Sequence, residues 1–424
     1  MTAYHLPKRI SAVHILFFAF CGLVGLTGCS MNSSIESKSP SSPSSPTSPN
    51  SSSSIVITAG GTYSGSWSSS DPDTPAITIS TKEAVVIQNS TISSKGDLIL
   101  VSGDGANVTV QNVKGTALDP GVAGKRRGRF LYAYKAKSIT VTHCTMTGVS
   151  YGVYIDASTL TGLSISNNVA NNMEDRASDG KGGLAMQRPS LGHFVIIGHS
   201  VAVNGGDISW NQVINTPGRS SVEDVINLFL SHGRSKDNVI WIHDNYLQGM
   251  FSPANTSDNY TGSGIMMDGA SDDLQTATGY VTISNNQIVH TANAGIGINA
   301  GHDISATNNR IVSCGKDSSG AWIATTSGVA VALWNGYHSK VFFNNSVSGT
   351  SGGLIRPDKF GKGKTSNAWV PDVSADAGNV ARGNAFEDPC IAVGSKMLAP
   401  ESVEYGKWIK KLSAASQTVG ISAK

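Results

Sequence analysis

The sequence predicts an all-β solenoid: a right-handed parallel β-helix of about ten coils, ending in a short C-terminal helix. Three observations predict it. First, an Asn followed by an aliphatic residue recurs at the end of short β-branched runs. It stands at Asn89, Asn112, Asn168, Asn211, Asn245, Asn286, Asn309, Asn345 and Asn384, and Cys144 fills one further slot. Second, these positions are spaced by 23, 32, 24, 43, 34, 41, 23, 36 and 39 residues, so a 23- to 24-residue unit with insertions underlies them. Third, the order inside each unit repeats. A run such as Tyr280-Val281-Thr282-Ile283-Ser284 alternates at period two, as a half-buried strand does. An Asn pair then turns the chain, because Asn tolerates the left-handed conformation. A Gly-led strand follows, as in Gly152–Asp156, Gly264–Asp268 and Gly295–Asn299. Three short strands per unit close one coil, and successive coils pair as parallel strands about 4.8 Å apart. The Asn side chains then stand in a row along the axis.

Residues 1–29 read as a targeting segment, with Lys8 and Arg9 before an apolar stretch from Ala12 to Leu26. Leu26-Thr27-Gly28-Cys29 resembles a bacterial lipobox, which implies a cell-envelope lipoprotein lipidated at Cys29. Ser30 after the Cys implies the outer membrane by the same resemblance. Residues 30–54, with the run SPSSPSSPTSPNSSSS, form a solvated linker whose composition cannot bury a core. The solenoid spans residues 55–395, and residues 396–424 hold the helix and tail. Tyr405, Trp408, Ile409 and Leu412 fall on one face of a helix over Ser402–Ser413, expected to cap or pack against the last coil. Beyond the targeting segment stand Cys144, Cys314 and Cys390. An odd, widely separated set predicts neither a disulfide framework nor a metal site, and Cys144 is expected inside, in the Asn position. With 14% charged residues and a net charge of +2, nothing favours nucleic acid or a polybasic membrane contact. The membrane is met through the lipid anchor only, and a monomer is expected.

Gly60-Gly61-Thr62-Tyr63-Ser64-Gly65, followed by the strand-turn repeats, resembles the opening of the pectate-lyase-like β-helix superfamily over about residues 55 to 395. Glu223–Leu228 and Asn238–Asn245 resemble a bacterial subset whose activities are mostly unassigned. The resemblance implies lyases, hydrolases or epimerases acting on polysaccharides, but the superfamily also holds adhesins, so fold leaves function open. Trp241-Ile242-His243-Asp244 invites comparison with the Trp-Ile-Asp-His run of pectate lyases. The His and Asp are transposed here, which flips each to the opposite face of a strand, so no role carries over.

The insertions concentrate between Asn168 and Asn286 and again after Asn309, and a cleft walled by them is the expected site. Aligning the Gly-led strands places Tyr154, Asp156, Gln187, Asn227, Asp268 and Asn299 on one face, a row suited to sugar hydroxyls or to plain solvation. The register at Glu223 is open: a shift of one residue turns Asn227 inward and Asp224 outward. The richest cluster is Glu223, Asp224, His232 and Arg234, with Asp268, Asp272 and Asp273 one coil later, Arg188 one coil earlier and His302 one coil beyond Asp268. At one coil step of about 5 Å, Glu223 or Asp224 facing Asp268 suits a retaining glycosidase pair, whereas an inverting pair needs roughly 6.5–9.5 Å. Asp156, three steps or about 14 Å from Asp268, is too distant to be its partner. The carboxylates Asp268, Asp272 and Asp273 are alternatively Ca²⁺ ligands. Arg188, Arg234 or His232 would then be the base of an elimination. Equally, local turns and ion pairs satisfy these acids. The basic run Lys125-Arg126-Arg127-Gly128-Arg129 suits an acidic polysaccharide or a solvated loop, and Trp322, Trp334 and Trp369 suit sugar stacking or coil-edge cover. The expectation is a carbohydrate-active enzyme with no cofactor or with Ca²⁺, a lyase before a hydrolase by resemblance. The competing expectation is a non-catalytic glycan-binding or adhesive solenoid.

Overall fold

The structure, a computed structural model, describes residues 53–185, 191–199, 202–251, 261–316, 320, 322, 328–358, 362–387, 390 and 399–421. They belong to the compact unit Ser48–Lys424; the unit Met1–Thr47, with Cys29, lies outside the described residues, as do Gln187 and Arg188.

Each coil contributes three strands, as the repeat predicts. One sheet of 11 parallel strands runs from Ile55–Ile57 through Val153–Asp156, Val195–Gly198, Asp224–Phe229, Ser263–Asp268 and Ala294–Ile298 to Ala368–Trp369. A sheet of 22 strands takes the other two, as in Ile240–His243 and Tyr246–Met250 on either side of the turn at Asp244-Asn245. In two early coils these two strands are continuous, and Ala84–Ser94 and Asn107–Ala117 run round the corner as single 11-residue strands. The stack is a parallel β-helix. Inward positions align rung by rung, so that Leu131, Val153, Val195, Ile226, Ile265 and Ile296 form one fully buried file. Each such side chain contributes roughly 1.5–3 kcal/mol of burial.

The expected Asn row is a hydrogen-bonded ladder. Asn168 Nδ2 donates to Asn211 Oδ1, Asn211 to Asn245 and Asn245 to Asn286 at 2.9 Å each, and Asn286 to Asn309 at 3.0 Å. Each of these Oδ1 atoms also accepts the preceding rung's backbone N–H, and each donating Nδ2 also reaches a carbonyl such as Ile208 O. Two bonds in and two out use the whole hydrogen-bonding capacity of the amide, which offsets the cost of burying it. Cys144 occupies the same slot, its N–H donating to Asn168 Oδ1 at 2.9 Å. The counted register is off elsewhere. Asn89 (φ 48°) and Asn112 (φ 53°) are the left-handed turn residues, and Ser90 and Val113 hold the inner slot. Asn345 does not stack on Asn309: Thr350 does, and Asn345 receives the amide of Ile304 instead.

Two further expectations are corrected. Cys314 and Cys390 form a disulfide across 76 residues, while Cys144 is free and buried. Sequence separation hid the pair, because a solenoid returns the chain to the same side many residues later. The helix spans Ala399–Ala414 and does not cap the last coil. It lies along the flank of the stack, followed by a tail that runs back towards earlier coils. Glu401 reaches His290 (2.8 Å) and the Cys314 N–H (2.6 Å), Glu404 pairs with Arg310 (2.7 Å), and Trp408 donates to Gln212 (2.9 Å). Beyond the helix, Asn167 bonds Gln417 and Thr418 at 2.9 and 2.8 Å. Trp408 and Leu412 are buried as expected, but Tyr405 and Ile409 are exposed and Glu401 and Glu404 buried. The flank offers a guanidinium, an imidazole and an N–H, so the helix presents a mixed face to it.

Candidate active site

The outward face of the 11-stranded sheet carries the candidate site, and its register decides which residues meet. One row reads Tyr134, Asp156, Gly198, Phe229 and Asp268, continuing to Asn299 and Trp334. A second row, two residues earlier, reads Tyr132, Tyr154, Ile196, Asn227, Met266, Gly297 and Ala332. Thus Asp156, Asp268 and Asn299 align as the sequence predicts, and Trp334 continues their row. Asn227 shares their face but stands one row away, because Val225, not Glu223, matches Gly152 and Gly264. Glu223 therefore lies beside Gly262, whose N–H its carbonyl accepts, six residues before Asp268 along the next strand. The strand register therefore does not set Glu223 opposite Asp268.

What converges instead is a third row: Tyr151, His193, Asp224 and Ser263. The His193 imidazole, 3% exposed, has Nδ1 2.8 Å from the backbone carbonyl of Asp224. A carbonyl only accepts, so Nδ1 carries the proton and Nε2 is the nitrogen that titrates. Nε2 lies 3.4 Å from Glu223 Oε2. Burial alone would push this imidazole down. The hydrogen bond and charge of Glu223, joined by Asp224, hold it above the usual value. Burial pushes the Asp224 carboxyl well up, and Glu223 adds to this against the opposing pull of His193, Ser263 and Asn227. Asn227 Nδ2 donates to Asp224 Oδ2 at 2.9 Å, yet Asp224 Oδ1 and Asn227 Oδ1 are buried with no hydrogen bond. Asp268 is likewise pushed up by burial, and Glu223 contributes to it, so the two acids sense each other across the register offset. Tyr337, 43% exposed, donates its hydroxyl to Asp268 Oδ1. Desolvation and the Asp268 charge hold its phenol above the ordinary range, hence protonated.

Towards earlier coils the face becomes aromatic and cationic. Tyr151 lies 5.7 Å from the His193 ring and 5.4 Å from Tyr154, which lies 5.1 Å from Tyr132. The Arg129 guanidinium sits 3.8 Å above the Tyr132 ring while forking onto Asp97 at 3.0 and 2.6 Å. A 440 Å³ cavity opens here, lined in part by Arg126, Arg127, Arg129, Tyr151 and Tyr154. The basic run is seated by Gly128, where a Cβ would come 1.7 Å from the Gly96 carbonyl oxygen, so only Gly lets the loop lie so close. Arg126 reaches Asp175 at 3.5 Å; burial pushes that carboxyl up to about 6, with Arg126 opposing.

Several candidates lie elsewhere. His232 lies past the far end of Asp224–Phe229, with Nδ1 2.7 Å from Gly233 O and Nε2 2.9 Å from Gln275 O. Arg234 is exposed in the adjoining turn. His302 belongs to the 22-stranded sheet, stacked 5.3 Å from Phe343 with Nδ1 2.8 Å from Asp303. Asp272 and Asp273 serve turns: Asp272 accepts from Lys340 N–H and Asp273 from Gln275 N–H. Among the described residues no group of three or more His, Cys, Asp or Glu is placed to hold a metal ion. The Ca²⁺ set Asp268, Asp272 and Asp273 therefore finds no support. His193, Tyr151, Asp175 and Tyr337 escaped the sequence reading. The apolar run Phe194–Ile197 behind Gly192 is the available signal for His193, but an alignment that counts Gln187 in the ladder puts the strand of that coil too early.

No family model matches the chain. No curated protein matches it either. Among solved structures it is similar to one described as a complex of alginate lyase AlyF-OU02 with G6. That similarity has 14% identity over 80% of this chain and 92% of that chain, with a TM-score of 0.29. A likeness this loose bears on no functional argument.

Proposed function

We propose that the chain is a carbohydrate-active enzyme that binds an acidic polysaccharide along the lane from Arg129 to Asp268 and cleaves it by β-elimination. The observation that carries this reading is His193, proton-fixed on Nδ1 by the Asp224 carbonyl and open on Nε2 towards Glu223. In that reaction Nε2 takes the proton from the carbon α to a uronate carboxylate. The electron pair forms the double bond as the glycosidic C–O bond breaks, and the leaving oxygen takes the proton of the Tyr337 phenol. Arg126, the Asn227 amide and the uncharged form of Asp224 are suited to steadying the carboxylate as negative charge builds on it. The register offset between Glu223 and Asp268 weighs against the close carboxylate pair of a retaining hydrolase.

The same proposal puts the protein on the cell envelope through a lipid on Cys29; loss of palmitate labelling in Cys29→Ser tests that part. A non-catalytic glycan-binding role is weaker, because a surface evolved only to bind gains nothing from an unpaired buried carboxylate oxygen at Asp224. The test is to incubate the full chain with acidic and neutral polysaccharides, with and without chelator. Ultraviolet absorbance from unsaturated uronate with acidic polymers alone is expected. New reducing ends without that absorbance would favour hydrolysis, and binding without any cleavage would favour the non-catalytic role.

A further inference from the structure

We infer that the groove has one open end, so that the site receives the terminus of an acidic polysaccharide and works inward from it. This rests on the binding lane proposed above and adds its polarity. On the side of the earlier coils the lane is open: Tyr151, Tyr154 and Arg129 border the 440 Å³ cavity, Tyr132 packs against Tyr154 and Arg129, and Tyr134 in the neighbouring row is exposed. From Tyr132 to Asn227 it crosses three rungs, about 14 Å at the spacing of parallel strands, room for a few sugar units.

Beyond Asn227 the same outward positions change character. Met266 and Ala332 continue the Asn227 row, and Ala294 and Val329 continue the Asp224 row. These four are 4%, 6%, 3% and 7% exposed and form one apolar cluster on what would otherwise be the open face of the sheet. Met266 lies across Gly297, where a Cβ would meet its Sδ at 2.5 Å. The segment Asn335–Lys340 then reaches back two coils over the Asp268 row. Tyr337 holds Asp268, Ser339 Oγ donates to Ser271 O, and Lys340 N–H donates to Asp272 at 2.8 Å. Its root is tied by Asn335 N–H to Asp372 and Asn335 Nδ2 to Ser339 O, both at 2.8 Å. Past His193 and Ser263, a sugar chain following the tyrosines thus meets the apolar floor of Met266, Ala294, Val329 and Ala332 and a pinned loop.

The experiment uses the full chain and size-defined oligouronates free at both ends, blocked by a bulky group at one end, or blocked at both. Cleavage is followed by product size and binding by calorimetry. The expected result is one small product of fixed size from the earliest time points. Blocking one particular end should weaken binding at least tenfold, while blocking the other end should leave it unchanged. Mid-chain fragments at early times, or equal binding of doubly blocked chains, would overturn the inference. If nothing is cut, the elimination chemistry fails, and the binding arm still decides polarity. Absence of binding to every oligouronate overturns both.

Discussion

His193 and Asp224 stand on neighbouring rungs of one sheet, with the imidazole Nδ1 2.8 Å from the Asp224 carbonyl oxygen. Backbone, not side chain, therefore fixes the tautomer, and it persists whatever the protonation of the Asp224 carboxyl. Glu223 then sets when Nε2 gives up its proton. A base works in its neutral form, so Glu223→Gln, by removing the group that raises His193, should move the acidic limb of the kcat/KM profile to lower pH. The His193 ring resonances, titrated by NMR, should move the same way. An unmoved limb would separate Glu223 from the base.

Asp175 gives a stability prediction with a definite sign. Its folded value, about 6, lies above the ordinary 3.8, so its contribution is fully present below 3.8 and is lost as pH rises through 6. Asp175→Asn removes that loss. The variant should be more stable than the parent by roughly 3 kcal/mol at pH 8 and equal to it near pH 4, read from denaturant unfolding at both pH values.

The Asn ladder should respond steeply to a single gap. Asn245→Ala strips partners from Asn211 Nδ2, Asn286 Oδ1 and the Ile208 carbonyl, all buried. At about 1–3 kcal/mol for each stranded group, the loss should exceed about 3 kcal/mol. Asn89→Ala, at an exposed left-handed turn, should cost about 1 kcal/mol. Comparable losses in the two variants would show that the ladder bears no special share of stability.

The repeat made the coil number, the three strands per coil and the interior place of Cys144 legible, because stacking imposes one chemical demand on every rung. Register within a coil was less legible. Asn serves both the left-handed turn and the inner slot, so Asn89 and Asn112 look like ladder residues without being so. In the Glu223 coil no Gly leads the strand, so the register there is ambiguous, and Asn227 stands one row from where the alignment puts it. The proximity of Glu223, Asp224 and Asp268 is nevertheless legible, since acids crowded on one sheet face leave a trace in sequence. His193, Tyr337 and the Cys314–Cys390 bond depend on loops that cross coils, and local pattern carries no record of those crossings.

The flank strap supplies another check. By loop-closure entropy, opening the Cys314–Cys390 link across 76 residues should lower stability by about 4 kcal/mol. Trp408→Ala, emptying a fully buried site against Tyr246, should cost about 3–5 kcal/mol. Thermal unfolding with and without reductant reads the first and denaturant unfolding the second; an unchanged midpoint in either would show that the strap is dispensable.

The most direct measurement compares unsaturated-uronate production by His193→Ala and His302→Ala, two buried imidazoles on different sheets. His193→Ala should lose roughly 10²–10⁴-fold in kcat while still binding the polymer, and His302→Ala should retain activity in proportion to its folded fraction. Full activity in His193→Ala, or a selective loss in His302→Ala, would contradict the placement of the chemistry beside Glu223 and Asp224.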